Sequence, residues 1–191
     1  MKNVTIFGGA FDPIHYAHLI IAQEILEKTE SPEILFLPSF SPPHKKIFAP
    51  FCDRVNMLNL AIGDNPQFQC SDMEKHFTQP SYTIDSLRAI KKRLGVSDIS
   101  FIIGMDSAVE FETWKEPDTL LFEFKILVIK RLRFTKEDIL PRFQKKMHFI
   151  DTRRIEISST EIRERIKKCK NIRYLTPPPV IDYIIEKGFY R

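Results

Sequence analysis

Short apolar runs alternate with amphipathic stretches along this chain. Residues 4–7, 33–38, 101–104 and 126–129 are brief runs rich in β-branched and aromatic side chains. Each predicts a buried strand, and residues 147–150 form a weaker run of the same kind. Between these runs the period lengthens from two to about 3.6 residues. Residues 19–28 carry Leu19, Ile20, Ala22, Ile25 and Leu26 at helical spacing. Residues 54–62 carry Val55, Leu58 and Ile62. Residues 83–94 carry Ile84, Leu87, Ile90 and Leu94 before a stop at Gly95. Residues 160–168 and 179–187 supply two closing helices. Strands that alternate with helices predict an α/β protein built on a parallel sheet with crossover helices. In such sheets ligands bind beyond the carboxyl ends of the strands. The proline-rich stretches 39–50 and 176–179 are loops, and the first is long enough to be functional.

Composition narrows the class. The 191 residues suit a single domain, and 43% hydrophobic against 28% charged residues is enough for an ordinary core. No run approaches the roughly 20 apolar residues that span a bilayer. The apolar run after Asn3 is broken at Gly8, too early for the core of a secretory signal, so a cytoplasmic protein is expected. Cys52, Cys70 and Cys169 are far apart, which fits neither a disulfide framework nor a zinc pair. A net charge of +4 is too small to imply nucleic-acid binding, but it suits a small anionic substrate.

The densest chemistry follows the first strand. Phe7-Gly8-Gly9-Ala10-Phe11-Asp12-Pro13-Ile14-His15-Tyr16-Ala17-His18 leads from that strand into a helix. Paired glycines let a backbone or a phosphate come close. The spacing is neither GxGxxG nor GxxxxGK(S/T), so it is not a dinucleotide fingerprint or a P-loop. His15 and His18, three apart, share one face of the first helical turn, where N–H groups and the dipole attract anions. No further ligand cluster completes a zinc site around them. Near the other end, Ser158 and Glu161 form a capping-box pattern. Arg163 then falls in the first turn, where the dipole disfavours a cation. Its neighbours four away, Ser159 and Lys167, offer no acid, whereas Glu161 can pair with Arg165 and Glu164 with Lys168. An anion would complete Arg163.

Residues 7–18 resemble the GG(T/S)FDPxHxGH pattern of the HxxH-type nucleotidyltransferases, specifically the nicotinate-nucleotide adenylyltransferases. Ala10 stands in place of the hydroxyl residue and Ala17 in place of the last glycine. The resemblance continues in order along the chain. Ser41-Pro42-Pro43-His44-Lys45 is similar to the family's PPHK loop, and Ser81-Tyr82-Thr83-Ile84-Asp85-Ser86-Leu87 to its SYTxDTL segment. Phe101-Ile102-Ile103-Gly104-Met105-Asp106-Ser107 with Trp114 is similar to FIIGAD…W, and Ile157-Ser158-Ser159-Thr160-Glu161-Ile162-Arg163 to ISSTxIR. Residues 174–190 are similar to the closing YL…P…V..YI…G.Y run. His76 and Lys130-Arg131-Leu132-Arg133 depart from the pattern, which commonly has an arginine and an Arg-Pro-Gly there.

This resemblance implies a Rossmann-like open parallel sheet with helices on both faces and a small C-terminal helical extension. It implies one nucleotidyltransferase domain over residues 1–191, with the part from about residue 157 carrying the ISSTxIR segment. The implied activity is transfer of AMP from ATP to nicotinic acid mononucleotide, giving nicotinic acid adenine dinucleotide and pyrophosphate in NAD biosynthesis. His15 and His18 are then catalytic. Gly8, Gly9, Ala10, Phe11, Gly104, Asp106, Ser158, Ser159 and Arg163 lie on the ATP side. Lys45, Tyr82, Thr83 and Trp114 take the mononucleotide, with Trp114 stacked on the pyridine ring. Mg2+ arrives on the ATP phosphates and no metal site is expected in the protein. The partners are these two small molecules, with no nucleic acid or membrane, and the chain is a monomer or homodimer. Tyr82 and Thr83 begin a helix whose N–H donors suit a carboxylate better than a carboxamide. An adenylyltransferase for nicotinamide mononucleotide or phosphopantetheine is the near alternative. A non-catalytic nucleotide-sensing module is the distant one.

Overall fold

The computed structural model describes residues 3–29, 31–42, 46–77, 82–129 and 134–191. In chain order the elements are β1 (Asn3–Gly9), α1 (Tyr16–Thr29), β2 (Ile34–Pro38), α2 (Phe51–Ile62), β3 (Phe68–Cys70), α3 (Thr83–Leu94) and β4 (Asp98–Gly104). There follow α4 (Met105–Val109), α5 (Pro117–Glu123), β5 (Lys125–Ile129), α6 (Pro141–Gln144), β6 (His148–Ile150), α7 (Ser159–Lys167) and α8 (Pro178–Lys187). The strands form one sheet in the order β3-β2-β1-β4-β5-β6, and every pair is parallel. The chain winds outward through β2 and β3, then crosses back to lay β4 on the other side of β1. A crevice opens at such a switch point, beyond the carboxyl ends of the two strands.

The strands are apolar on both faces because helices cover both faces. Val4 and Ile6 of β1, Ile99, Phe101 and Ile103 of β4, and Ile126 and Val128 of β5 pack on one side with Ile84, Leu87 and Ile90 of α3. Phe7, Ile102, Leu127 and Ile129 point the other way, into a core with Ile25 of α1, Leu58 of α2, Ile162 of α7 and Ile184 of α8. The two closing helices therefore share the core of β1 rather than standing apart from it. The α/β fold expected from the alternating pattern is found.

Three details differ from the sequence reading. β3 has three residues and pairs only with β2. A strand this short, with Gln69 exposed between Phe68 and Cys70, shows no readable period. On α2 Leu58 and Ile62 are buried as expected, together with Arg54, Met57 and Ala61, but Val55 is only half-buried. Glu164 pairs with Lys167 at 3.0 Å instead of Lys168, which lies just past the end of α7. The other expected pair, Glu161 with Arg165, spans 4.0 Å.

The start of α1 matters for the site, and its far end is pinned. Glu24 is buried and accepts from the Arg153 backbone N–H and from Arg153 Nε, while Lys28 donates to the Asp151 carbonyl. Burial alone would raise the Glu24 carboxyl, but the Arg153 hydrogen bonds and the Lys28 and Arg153 charges outweigh it and hold it below the usual value. A carboxyl depressed by folding contributes stability that is fully present above its unfolded value of about 4.3. That stability is lost as pH falls through the lower folded value. Glu24→Gln is therefore expected to destabilise the protein by about 1–2 kcal/mol at pH 7. The difference from wild type should shrink as pH falls through the lowered folded value, as read by urea melts over a series of falling pH.

Candidate active site

A cavity of about 230 Å³ lies at the switch point. Gly8, Gly9 and Ala10 form its wall at the end of β1, and Ile102 to Gly104 at the end of β4. Tyr82 and Thr83 at the start of α3 also line it, as do Trp114 and Lys115. The two glycines have a steric reason. A Cβ on Gly8 would meet Phe101 Cζ at 2.7 Å, and one on Gly9 would meet Phe11 Cζ at 3.0 Å. Aromatic rings, as well as any ligand, therefore occupy the space that side chains would fill.

Trp114 is half-buried, its ring 5.1 Å from Phe111 and 6.5 Å, edge-on, from Phe101. The indole is thus a supported platform with one open side. Tyr82 has extended backbone at the N-cap of α3 and gives no side-chain cap. The first N–H groups of α3 have no partner inside their own helix, and the positive end of the dipole sits there. Two acids, Glu74 and Glu110, also line the cavity. Glu74 is buried, and its oxygens accept from Ser86 Oγ and the Phe40 N–H, both at 3.0 Å. Lys115 is paired with Asp85 at 2.8 Å and lies 5.1 Å from the Tyr82 ring centre.

The histidine pair lies outside the cavity lining, on the helix that β1 leads into. His15 directly precedes α1, and its carbonyl accepts from the His18 and Leu19 N–H groups at 3.0 and 3.4 Å. The rings of His15 and His18 stack with centroids 3.6 Å apart and planes 22° from parallel. His18 also meets the edge of Phe11 at 5.0 Å. Phe11 holds this cluster from the turn itself, with φ at 47°, a left-handed conformation uncommon for a bulky residue.

α7 docks against the same turn. Ser158 caps the helix, its Oγ accepting from the Glu161 N–H at 3.1 Å. Ser159 Oγ donates to the Pro13 carbonyl at 2.8 Å. Arg163, for which the sequence offered no acid partner four residues away, is held both within its own helix and across the fold. Its Nη1 donates to the Asp12 carbonyl at 2.7 Å and its Nη2 to Thr160 Oγ1 at 3.0 Å. The guanidinium lies 4.4 Å from the Phe48 ring centre, and Lys46 and Lys167 approach the same ring at 5.3 and 5.7 Å. Three cations thus gather beside the turn that carries the histidines, and among the described residues only Lys167 has an acid partner there, Glu164. Such an electropositive edge favours a polyanion.

The structure therefore brings Gly8, Gly9, Ala10, Gly104, Tyr82, Thr83 and Trp114 to one cavity. It places Phe11, His15, His18, Ser159 and Arg163 together around the turn at residues 11–15. Gly104 lines the cavity, while Asp106, in the first turn of α4, is half-exposed and does not. Lys45, with Pro43 and His44, lies outside the described residues, as do Ser81 and the departure at residues 130–133.

Sequence reasoning gave no role to the groups underneath. Asp12, 2% exposed, accepts from the Phe48 N–H at 2.7 Å, the Ala49 N–H at 3.1 Å and the Tyr190 hydroxyl at 2.7 Å. Arg54, fully buried, donates to the carbonyls of Ala10 at 2.6 Å, Ala49 at 3.2 Å and Phe40 at 3.3 Å. Burial pulls the guanidinium below its ordinary value, while the carboxylate charges of Asp12 and Glu74 push it back. An arginine never deprotonates under ordinary conditions, so this is a buried cation serving three backbone oxygens. One signal was readable: Arg54 occupies the first position of the stripe 54, 57, 58, 61, 62, where an apolar residue belongs.

Comparison with known proteins bears on this arrangement. A family profile described as cytidylyltransferase-like matches residues 6–165. A protein of Caldicellulosiruptor saccharolyticus described as a probable nicotinate-nucleotide adenylyltransferase is 40% identical over 196 residues, covering 99% of each chain. The nicotinate-nucleotide adenylyltransferase of Bacillus subtilis is 39% identical over 192 residues, covering 100% of this chain and 99% of that one. Among solved structures, the Plasmodium falciparum nicotinic acid mononucleotide adenylyltransferase complexed with NaAD superposes with a TM-score of 0.83. It is 27% identical and covers 100% of this chain and 98% of that one.

Proposed function

The chain belongs to the cytidylyltransferase-like family, and within it to the nicotinate-nucleotide adenylyltransferases, and we propose that it joins nicotinic acid mononucleotide to the AMP part of ATP. The observation that carries this reading is the cavity at the switch point. Its Trp114 platform and the start of α3, which the Tyr82 side chain does not cap, suit a flat ring bearing a carboxylate, and its β1 wall leads into the turn that carries the histidine pair. The enzyme is a nucleotidyltransferase of NAD biosynthesis, and its product is nicotinic acid adenine dinucleotide.

The attacking group is a phosphate oxygen of the mononucleotide. A phosphomonoester has a second pKa near 6 and is largely dianionic at neutral pH, so the step needs no general base. The oxygen attacks the α-phosphorus of ATP in line. A new P–O bond forms, the α–β anhydride bond breaks and pyrophosphate leaves with the electron pair. Catalysis is then positioning and stabilisation of charge on the α-phosphate. His15 and His18 supply ring N–H donors for that charge. Gly8 to Phe11 and Gly104 with Asp106 frame the nucleotide, and Ser158, Ser159 and Arg163 take the phosphates that leave. Lys45 contacts the mononucleotide phosphate in this reading. Mg2+ travels on the ATP phosphates as part of the substrate. Among the described residues no group of three or more His, Cys, Asp or Glu side chains is placed to hold a metal. Likewise no described helix is long and apolar enough to cross a membrane. A single-domain cytoplasmic enzyme, monomer or homodimer, completes the proposal.

Stacking on Trp114 is indifferent to the ring substituent, because the acid and the amide share a π-face. Discrimination then rests on the α3 start, where a carboxylate accepts at both oxygens and a carboxamide at only one. An unpaired donor and the lost charge attraction cost about 1–3 kcal/mol. The acid is therefore expected to be preferred by at least about tenfold in kcat/KM. Trp114→Ala should weaken both acceptors and leave their ratio nearly unchanged. Pyrophosphate release with each mononucleotide, on wild type and variant, checks both points. Equal wild-type efficiencies would reject nicotinate as the acceptor.

A further inference from the structure

We propose that Tyr190, the penultimate residue of the chain, is a positioning residue for nucleotide transfer, acting through Asp12. Its hydroxyl donates to Asp12 Oδ1 at 2.7 Å. Both groups are buried, at 8% and 2% exposure. Burial and the Asp12 charge push the phenol far above its ordinary value, so it stays protonated and the hydrogen bond keeps one direction.

Asp12 is where four separate parts of the chain meet. Its own backbone belongs to the turn between β1 and the histidines. Its carboxylate holds the N–H groups of Phe48 and Ala49, and so the end of the long proline-rich loop. Its carbonyl holds Arg163 Nη1 at 2.7 Å, and so α7. The fourth part is the chain end, through Tyr190. Arg54 ties the same parts from below, binding the carbonyls of Ala10, Phe40 and Ala49. Asp12 Oδ1 is shared between Tyr190 and the Ala49 N–H, so removing the hydroxyl leaves that oxygen one donor short. The adjustment falls on the turn that aims the histidines and on the loop that carries Lys46.

The backbone turns sharply between the end of α8 and this contact. Gly188 ends α8 at φ 67°, and Tyr190 itself is left-handed at φ 67°. A tyrosine rarely adopts that conformation unless its surroundings hold it there. Simple packing of the last aromatic ring would not need the hydroxyl to reach a carboxylate that already has two backbone donors.

This inference rests on the adenylyltransferase reading, and the test separates the two. Tyr190→Phe removes only the hydroxyl. Tyr183→Phe is its control. That residue is also in the C-terminal segment, and its hydroxyl bonds Asp53 at 2.8 Å and Asn56 at 3.0 Å on α2, away from the site. Each variant is measured by thermal melting, by calorimetric titration with a non-hydrolysable ATP analogue, and by pyrophosphate release with ATP and nicotinic acid mononucleotide. For Tyr190→Phe we expect analogue binding weakened by about 3- to 10-fold and kcat lowered by about tenfold, the scale of one charge-assisted hydrogen bond. KM for the mononucleotide should stay within about twofold. Tyr183→Phe should lower the melting temperature and leave kcat and analogue binding as in wild type. If Tyr190→Phe lowers only the melting temperature, as the control does, Tyr190 is merely structural and the proposal is overturned. If wild type binds the analogue yet releases no pyrophosphate with this acceptor, the acceptor reading fails, and the analogue titration still decides the role of Tyr190.

Discussion

His18→Ala is expected to lower kcat by about 10²-fold or more while the fold survives, the usual scale for removing one preorganised donor to a developing negative charge. The ring stands on the first turn of α1, stacked on His15 at 3.6 Å and edged by Phe11 at 5.0 Å, so its orientation is fixed before substrate arrives. A donor that needs no reorganisation stabilises the transition state more than a mobile one. Alanine is the best helix former and keeps α1 intact. The lost ring contacts should cost about 1 kcal/mol, a drop of a few degrees in Tm. KM for either substrate should change little if the donor acts mainly as charge develops. Steady-state pyrophosphate release and a thermal melt on the same preparation check this. Near-normal turnover in a folded variant would remove His18 from the chemistry.

Arg163→Ala is expected to lower kcat/KM for ATP by about 10²- to 10³-fold, because the residue offers a charged fork to the phosphates that leave. The effect should fall on the ATP side, and a change confined to the KM of the mononucleotide would contradict the assignment. Arg163→Lys should recover only part of the loss, since an ammonium keeps the charge but not the planar fork. Stability is also expected to fall, by about 1 kcal/mol. Seen as an isolated cation in the first turn of a helix, Arg163 looked neutral or even costly to the fold. It is instead bonded to the Asp12 carbonyl and to Thr160 and packed on Phe48, and those contacts outweigh the unfavourable dipole.

Arg163 illustrates what a sequence can and cannot disclose. Its helix, its cap and its i±4 neighbours were legible, because they are local. Its partner 151 residues away was not, because nothing in periodicity or charge spacing pairs Arg163 with a backbone oxygen at Asp12. The sheet was legible for the same reason as the cap: strands buried on both faces read as dense apolar runs, and β1, β2, β4 and β5 each left one. β3, with its three residues, left none. Arg54 lies between these cases. Its place on an apolar stripe was visible, but the three carbonyls that justify burying it come from separate loops.

The contact between Gly8 and Phe101 reaches further than the space it fills. The Phe101 ring takes the volume a Cβ would need on Gly8, and the same ring meets the Trp114 indole edge-on, 6.5 Å away. The surface offered to the acceptor thus rests on Phe111 and, more distantly through the Phe101 ring, on the backbone of the central strand. Acceptor preference and sheet packing are consequently not independent traits in this protein. A lineage, or a designer, seeking a bulkier acceptor by moving Trp114 would also have to resettle Phe101, and Phe101 can give way only where β1 keeps a residue without a side chain. Selection on acceptor choice would then be felt as selection on a strand glycine on the nucleotide side of the site.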